Sequence, residues 1–336
     1  MVCALLTACG AAGGPEGGGD NLPNRGVIPY QKVSGQDEAL PDFVIDPDEA
    51  VTPLDPSALV SGAQVDLFFA QENTDEDTSK IALATSSDAG ENFTTPQIIL
   101  ESDAQGRKLG APSVIAFAGR YLMVVEVGEE EGIALATSTD GVNFELRPVP
   151  LLFPEGDAEA GGIGGPSLVS VPGGFHLYYH ARPADNGADE PVGASIMRAT
   201  AGDDLLFERD GVILGPGTDC LDAAGEGTAC WDAGGVEDPE VRVATMGSGR
   251  QVFRLVYTGL ASVGGAETGV GFAASFDGDG WSRFEFNPIV GRTARERAPT
   301  NVRVGDVYRL YFTDRVTAQF GIGGAINAPE NPTESF

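Results

Sequence analysis

The sequence repeats one pattern five times, and this repetition constrains its fold more than any other feature. Each copy has a proline, a short apolar run, a glycine-containing turn and an alternating strand rich in aromatic residues. The anchor prolines are Pro56, Pro112, Pro166, Pro239 and Pro299. Their spacings of 56, 54, 73 and 60 residues are typical of one four-stranded propeller blade with variable loops.

A third strand ending in a turn of Ser or Ala, Asp and Gly follows in four copies: 81–93, 133–144, 195–207 and 270–281. The fifth copy stops near Ile326 after three strands. We expect residues 42–45 to provide its fourth strand, because closing the ring removes open sheet edges. The sequence thus predicts an all-β, five-bladed β-propeller over residues 41–336. The alternative is a β-sandwich whose strands resemble one another by chance.

Composition excludes several classes of partner. The chain has 20 Lys and Arg against 50 Asp and Glu, a formal net charge of −30, and such a field repels the phosphates of nucleic acids and anionic lipids. No run of 18 apolar residues is present, so we expect no transmembrane helix. We expect no nucleic-acid partner. We also expect a monomer, because a closed ring has no edge that demands a partner.

The first nine residues resemble the signal peptide of bacterial lipoproteins. They end in Leu6-Thr7-Ala8-Cys9, which is similar to a lipobox, and the resemblance makes Cys9 the lipidated residue. It implies a location in the cell envelope, outside the cytoplasm, with membrane contact only through the lipid. Residues 10–40 then form a flexible, Gly-rich tether. The alternatives are an unrelated apolar leader and a misplaced start codon.

Two further cysteines lie in an acidic, Gly-rich loop. Cys220 and Cys230 predict a loop disulfide formed in an oxidising compartment, since their spacing does not suit zinc. The acidic clusters at 75–77 and 277–279 have calcium-type side chains without the spacing of a complete calcium loop. We interpret them as solvated turns and expect no metal and no cofactor, calcium being the one ion left open.

The repeats resemble the five-bladed propellers of the arabinanase, levansucrase and invertase superfamily, above all glycoside hydrolase family 43. The resemblance covers about residues 50–328. It rests on the blade-opening Pro motifs, on second strands such as 175–180 (FHLYYH) and 308–313 (YRLYFT), and on the ATSxDG turns. It implies a carbohydrate partner, a plant or microbial polysaccharide or oligosaccharide, and hydrolysis of an O-glycosyl bond.

In a propeller, residues that open the first strand and close the second strand of each blade line one funnel. The candidates at the openings are Asp55, Ser113, Gly164, Glu237, Asp238 and Arg297. Those at the closings are Gln71, Glu126, His180, Thr258 and Asp314. A concave, acid-rich site suits a neutral, hydroxyl-rich ligand such as a sugar. The residues expected to bind substrate are His180, Arg297, Asp314, Gln71 and Ser113.

Glycosidic cleavage needs one protonated carboxyl group and one ionised carboxylate. By the resemblance, the base is the Asp of the Asp-Pro that opens blade one, and Asp55 matches it. The family's second Asp and its general-acid Glu correspond to Ser113 and Gly164, so two of three catalytic positions are lost. Neighbouring carboxylates can raise the pKa of a substitute acid. The candidate substitutes are Glu126, Glu237 and Asp238.

The Glu237-Asp238-Pro239 motif resembles the Glu-Asp-Pro of mannoside-phosphorylase-like propellers. Glu240 stands where those enzymes carry an Arg, and a carboxylate repels phosphate, so phosphorolysis is disfavoured. The candidates also have structural interpretations. An Asp before Pro often caps a turn, His180 can pack between strands, and Arg297 can be a solvated surface residue.

The sequence leaves two main hypotheses open. One is an extracytoplasmic glycoside hydrolase with a rearranged acid and base, and the other is a non-catalytic carbohydrate-binding or scaffolding propeller. A sialidase-like function, suggested by the Asp-box-like segment 86–93, ranks last because Arg297 is the only obvious funnel arginine.

Overall fold

The computed structural model describes residues 30–35, 41–102, 106–128, 130–184, 193–218, 220–221, 227–228, 230–246, 249–263, 268–291, 296–316 and 318–327. Within these ranges all regular secondary structure is β-strand. No described segment forms a helix that could cross a membrane. The predicted lipidation site Cys9 and most of the predicted tether lie outside the described residues.

Five sheets follow one another along the chain. A short strand, β1 (Gln31–Lys32), comes first. Blade 1 contains β2 (Val51–Ser61), β3 (Gln64–Asn73), β4 (Thr78–Ser86) and β5 (Gln97–Leu100). Blade 2 contains β6 (Leu109–Phe117), β7 (Arg120–Val127), β8 (Gly132–Ser138) and β9 (Glu145–Leu146). Blade 3 contains β10 (Gly162–Val171), β11 (Gly174–Arg182), β12 (Ser195–Ala201) and β13 (Glu208–Leu214).

The pair β14 (Cys220–Leu221) and β15 (Gly227–Thr228) forms a small ladder between blades 3 and 4. Blade 4 contains β16 (Gly235–Thr245), β17 (Gln251–Leu260), β18 (Thr268–Ser275), β19 (Ser282–Arg283) and β20 (Val290–Gly291). Blade 5 contains β21 (Arg297–Val304), β22 (Val307–Val316) and β23 (Gln319–Asn327), with β1 at its outer edge. The predicted all-β, five-bladed propeller is confirmed.

The ring is closed by the N-terminal side of the chain, although not by the segment expected. Gln31 and Lys32 pair with the last strand, β23, whereas the expected residues 42–45 contribute only an isolated bridge from Ile45 to Ile322. The predicted domain boundary at residue 41 is therefore too late. Ring closure depends on pairing between the two ends of the described chain, which a repeat pattern does not reveal.

The hydrophobic core consists of five clusters, one between each pair of neighbouring blades. Because each blade is covered on both faces, its second strand is a nearly continuous apolar run instead of an alternating one. The aromatic residues of the repeat fill these interfaces, and the largest are fully buried: Tyr178, Tyr179, Tyr257, Tyr311 and Phe68.

Every inner strand has a β-bulge at its X-Pro pair. The residue before the proline has a positive φ in all five blades: Asp55 (52°), Ala111 (40°), Gly165 (53°), Asp238 (49°) and Ala298 (47°). This conformation is unfavourable for residues other than glycine and is held only by a well-packed surrounding structure. The five bulges converge on the propeller axis and line one axial pocket.

A ring of hydrogen bonds, called the deep belt here, joins the blades just below the bulges. The side-chain oxygen of the residue after each proline accepts a backbone N–H from the next blade. The four acceptor–donor pairs are Ser57 with Val114, Ser113 with Leu168, Ser167 with Val241 and Thr300 with Ala58, at 3.2, 3.1, 2.9 and 3.3 Å. At the fifth position, Glu240 accepts the hydroxyls of Ser167 and Thr300.

Ser113 was expected to bind substrate, and its position corrects that expectation. It is 3% exposed, and its oxygen already accepts the Leu168 N–H of blade 3. Ser113 therefore holds two blades together and does not reach the funnel.

Candidate functional site

A second ring of hydrogen bonds, the mouth belt, lies at the open end of the axial pocket. In three blades, the closing side chain of the second strand accepts the N–H of the left-handed residue in the next blade. The acceptors are Glu126, Thr258 and Thr313, and their donors are Gly165, Ala298 and Asp55, at 3.2, 2.8 and 2.9 Å. In blade 3 the closing side chain is His180, whose Nδ1 lies 3.2 Å from the backbone nitrogen of Asp238. Blade 1 has Ala70 at this position, opposite Leu54 in the strand register.

This register corrects two predicted substrate-binding residues, Gln71 and Asp314. Both lie one residue beyond the closing positions Ala70 and Thr313, and a shift of one residue moves a side chain to the other face of the sheet. The Asp314 carboxylate is buried and accepts a hydrogen bond from Lys32 at 3.1 Å. It anchors the closing strand of the ring.

Glu126 fills the space that a side chain on residue 164 would occupy. A Cβ built on Gly164 would overlap Glu126 Oε2 and lie 2.9 Å from His180 Nε2. Glycine is therefore required at position 164 as long as Glu126 keeps this position. The pKa of Glu126 is raised to about 7: burial raises it most, the charge of His180 lowers it, and the charge of Asp55 raises it.

Asp55 faces the same axial pocket from blade 1. Its side chain is half-buried, and burial raises its pKa to about 6, opposed by Arg297 and reinforced by the negative charge of Asp238. Arg297 opens blade 5 and is exposed at the mouth. The carboxyl groups of Asp55 and Glu126 thus both have raised pKa values and influence one another electrostatically.

Asp238 and the buried His180 form an ion pair between blades 3 and 4. Asp238 Oδ1 lies 3.4 Å from His180 Nδ1, and Thr258 donates to Oδ2 at 2.9 Å. Burial opposes the charged imidazolium, but the hydrogen bond and charge of Asp238 outweigh it and raise the pKa of His180 to about 9. Burial also opposes ionisation of Asp238, yet His180 holds the pKa of that carboxyl well below its usual range. Asp238 is therefore an anion at neutral pH.

Two residues that sequence reasoning missed, Glu130 and Arg182, complete the wall of the funnel. Arg182 binds Glu237 through two nitrogens, at 3.0 and 2.9 Å, and also pairs with Glu130. The Glu130 carboxylate lies 3.3 Å from His180 Nε2. The backbone N–H of Glu130 donates to Glu126 Oε1 at 3.2 Å. Arg182 could have been found, because it follows His180 by two residues and shares its strand face.

The comparisons with known proteins bear on the fold. No family model matches the chain, and no curated protein sequence matches it. A solved glycoside hydrolase superposes with a TM-score of 0.67 at 15% identity, over 92% of this chain and 94% of that one. The chain has the fold of the glycosidase propellers. At this identity the likeness shows the fold alone.

Two further solved structures with this fold have named sources or substrates. A glycosyl hydrolase from Bacteroides ovatus gives a TM-score of 0.60 at 14% identity, covering 90% of this chain and 95% of that one. A glycoside hydrolase of the mannoside phosphorylase family 130, which targets β-1,2 mannosidic linkages in Candida mannan, gives 0.62 at 16% identity, covering 93% and 97%.

Outside the funnel, the predicted disulfide is present. Cys220 and Cys230 are bonded, with Cα atoms 5.2 Å apart. The loop that they constrain leads from blade 3 into the first strand of blade 4, whose bulge carries Asp238. Among the described residues, no group of three or more His, Cys, Asp and Glu is arranged to hold a metal ion. Asp277 accepts the N–H groups of Asp279 and Gly280, as expected of a turn.

The glycosidase propeller fold thus gathers three half-buried carboxyl groups with different proton affinities at one mouth. Asp238 is ionised, whereas Glu126 and Asp55 have raised pKa values. Unequal proton affinity between neighbouring carboxyl groups is the condition for one to act as acid while another acts as base. Glu237, the remaining catalytic candidate, accepts a hydrogen bond from Arg182. Its position suits a role in orienting that arginine and not in acid or base catalysis.

Proposed function

We propose that the protein is a glycoside hydrolase that cleaves an O-glycosyl bond in a plant or microbial polysaccharide or oligosaccharide. Glu126 is its general acid and Asp55 its base. The observation that carries the proposal is the position of Glu126 over Gly164. In glycoside hydrolase family 43, which the sequence resembles, residue 164 would be the general-acid Glu. The acid has thus moved to the neighbouring blade, while its carboxyl group remains at the same part of the funnel.

In the proposed reaction, protonated Glu126 gives its proton to the glycosidic oxygen as the bond to the anomeric carbon breaks. Ionised Asp55 takes a proton from the water that attacks that carbon, or attacks the carbon itself, as the two carboxylate geometries of glycosidases allow. Asp238 stays ionised beside His180, and its charge stabilises the positive charge that develops on the sugar ring.

We further propose that the protein acts outside the cytoplasm. Two features support this location. The first nine residues resemble a lipoprotein signal, and the Cys220–Cys230 disulfide is of a kind that persists in oxidising compartments.

Turnover of aryl glycosides tests the proposed reaction. Wild type is assayed on 4-nitrophenyl arabinofuranoside, xyloside, galactoside and mannoside, together with Asp55→Asn, Glu126→Gln and the exposed control Glu145→Gln. We expect turnover of at least one substrate. Loss of general acid or base catalysis costs about 10²- to 10⁴-fold, so both funnel variants fall by that factor and the control does not. With poor leaving groups Glu126→Gln loses more activity, because those leaving groups depend on protonation.

A non-catalytic carbohydrate-binding propeller is the second candidate. It is favoured by one observation: Glu126 accepts the Gly165 N–H in the mouth belt, as Thr258 and Thr313 do at their own positions without acid chemistry. If no glycoside is turned over while sugar binding survives Asp55→Asn, the hydrolase proposal fails and this candidate replaces it.

A further inference from the structure

His180 is a buried, charged side chain at the funnel to which the proposed reaction gives no part. Its residue is 3% exposed, and a charge is buried to this degree only when it is paired and hydrogen-bonded. Both ring nitrogens face a carboxylate: Nδ1 lies 3.4 Å from Asp238 Oδ1, and Nε2 lies 3.3 Å from Glu130 Oε1. A neutral imidazole has one N–H, whereas an imidazolium has two. The pair of carboxylates therefore fits the protonated ring.

The charged groups around His180 come from three blades. They are Glu126 and Glu130 of blade 2, Arg182 of its own strand, and Glu237 and Asp238 of blade 4. Arg182 is itself paired with Glu237 and Glu130. Burial lowers the pKa of His180, but the hydrogen bond and charge of Asp238 and the charges of Glu237 and Glu126 raise it to about 9. His180 is therefore a cation at neutral pH.

Two successive glycines let His180 and Glu126 lie side by side. A Cβ built on Gly164 would overlap Glu126 Oε2 and lie 2.9 Å from His180 Nε2, and a Cβ built on Gly165 would lie 2.8 Å from His180 Nδ1. The imidazole ring thus covers both glycines, and the Glu126 carboxyl group lies near its Nε2 edge. Burial raises the pKa of Glu126, and the charge of His180 lowers it. The two side chains interact through charge.

Glu130 holds both of these residues in place. Its φ of 65° lies in the left-handed region, which is unfavourable for a residue with a side chain and persists only where the surroundings enforce it. Its backbone N–H donates to Glu126 Oε1 at 3.2 Å, and its carboxylate lies beside His180 Nε2. A glycine would adopt this conformation without strain but would leave the imidazole with one carboxylate partner fewer.

We propose that His180 is a positioning residue for the general acid, a fixed cation that stabilises the carboxylate of Glu126 once its proton has gone to the glycosidic oxygen. The inference rests on the proposed function and adds the group that tunes its acid. In that step the bond from the anomeric carbon to the glycosidic oxygen breaks, and its electrons stay with the oxygen, which takes the Glu126 proton. His180 keeps both of its own protons, because Asp238 and Glu130 accept its hydrogen bonds. A carboxylate that forms beside a cation is stabilised, so Glu126 gives up its proton more readily than burial alone would allow.

Histidine NMR tests the charge of His180 without any substrate. The chain has two histidines, so untagged protein labelled with ¹⁵N-histidine gives two imidazole spin systems, which His176→Gln assigns. At about pH 7.5 we expect His180 to carry a proton on both nitrogens. His176 should be neutral, because burial and the charge of Arg198 lower its pKa. In Asp238→Asn, His180 should titrate at lower pH than in the wild type.

The pH dependence of kcat tests whether this cation acts on the acid. An opposite charge at about 4–6 Å lowers the pKa of a carboxyl group by about 1–3. His180→Gln removes the cation, so Glu126 should hold its proton more tightly, and the fall in kcat at high pH should move upward by at least about one pH unit. The matched control is His176→Gln, the same substitution in the same strand, and it should leave the profile unchanged.

A neutral His180 at about pH 7.5, an unchanged or lowered position of the high-pH fall in His180→Gln, or an equal shift in His176→Gln would each overturn the inference. If His180→Gln does not fold, Glu130→Gln keeps the buried ring and should lower the pH at which His180 titrates; no change there also overturns it. Failure of the proposed function has a different signature. In that case the wild type hydrolyses no glycoside, but the ¹³C NMR titration of the Glu126 carboxyl group, assigned with Glu126→Gln, still moves to higher pH in His180→Gln. Hydrolysis by a wild type whose His180 is neutral removes this inference alone.

Discussion

Two interfaces between neighbouring blades, called seams here, have the same backbone geometry but carry different side chains. Between blades 2 and 3, Glu126 closes the second strand and accepts the N–H of Gly165. Between blades 1 and 2, the equivalent residues are Ala70 and Ala111. The closing side chain therefore decides whether the mouth of an interface has a hydrogen bond to a titratable group, as at Glu126, or a small apolar side chain, as at Ala70. Thr258 and Thr313 show the third outcome, a link without a titratable group.

The largest effect is expected from filling the space above Gly164. In Gly164→Ala the new Cβ overlaps Glu126 and displaces its carboxyl group. A displacement of about 1 Å in a catalytic group can cost on the order of 100-fold in rate, so kcat on the best aryl glycoside should fall by about that factor. The control is Gly280→Ala, where an added Cβ meets no neighbour and activity is retained. Full activity in Gly164→Ala would show that Glu126 is not the acid.

The pH profile tests whether the seam between blades 2 and 3 carries the acid. Asp55 must be ionised, so kcat rises with pH through about 6, and Glu126 must be protonated, so kcat falls above about 7. Outside this window the rate changes by about tenfold per pH unit. Residual activity of Glu126→Gln should lack the fall at high pH, whereas Glu145→Gln should keep the whole profile. A profile that is flat from pH 5 to 8 contradicts both assignments.

A smaller effect is expected from removing one hydrogen bond of the deep belt. This change should affect stability and leave activity unaltered. Ser113→Ala leaves the buried Leu168 N–H without its acceptor, which costs about 1–3 kcal/mol. The free energy of unfolding in urea should fall by that amount, while kcat per folded molecule is unchanged. Ser282→Ala on the exposed edge strand is the matched control. A specific loss of substrate affinity in Ser113→Ala would restore its predicted role in binding.

The smallest effect is expected from supplying the missing link in the mouth belt. A hydroxyl at position 70 can accept the Ala111 N–H as Thr258 accepts that of Ala298. Ala70→Ser should therefore raise the free energy of unfolding by about 0.5–1.5 kcal/mol, the net worth of one hydrogen bond. Val65→Ser, also buried in the same strand but within the apolar core, should be destabilised. A loss of stability in Ala70→Ser would show that the interface between blades 1 and 2 does not share the hydrogen-bond geometry of Thr258 and Ala298.

Several features could be predicted from the sequence because they depend on local patterns. The Pro-anchored repeat indicated five blades, and the Asp-Pro pairs placed Asp55 and Asp238 at the axis, where both lie. His180 and Glu126 were correctly placed at closing positions. Arg297 also lies at the mouth. The number of blades followed from the number of copies, and the placement of each residue followed from its position within its own copy of the repeat.

Other features were decided by contacts between distant parts of the chain. The strands of blades 1 and 5 close at Ala70 and Thr313, one residue before the predicted Gln71 and Asp314, because the exact register depends on pairing across the sheet. Glu126 reaches the space over Gly164 only because neighbouring blades pack side by side.

The sequence by itself determined the five-bladed ring and which segments face its axis, since periodic burial follows from the apolar and turn residues of each repeat. Only the tertiary structure decided which carboxyl groups lie together at the mouth of the axial pocket and which of them hold a proton near neutral pH. Their proton affinities arise from burial and from charges on other blades, and these interactions depend on distances in space that separation along the chain does not fix.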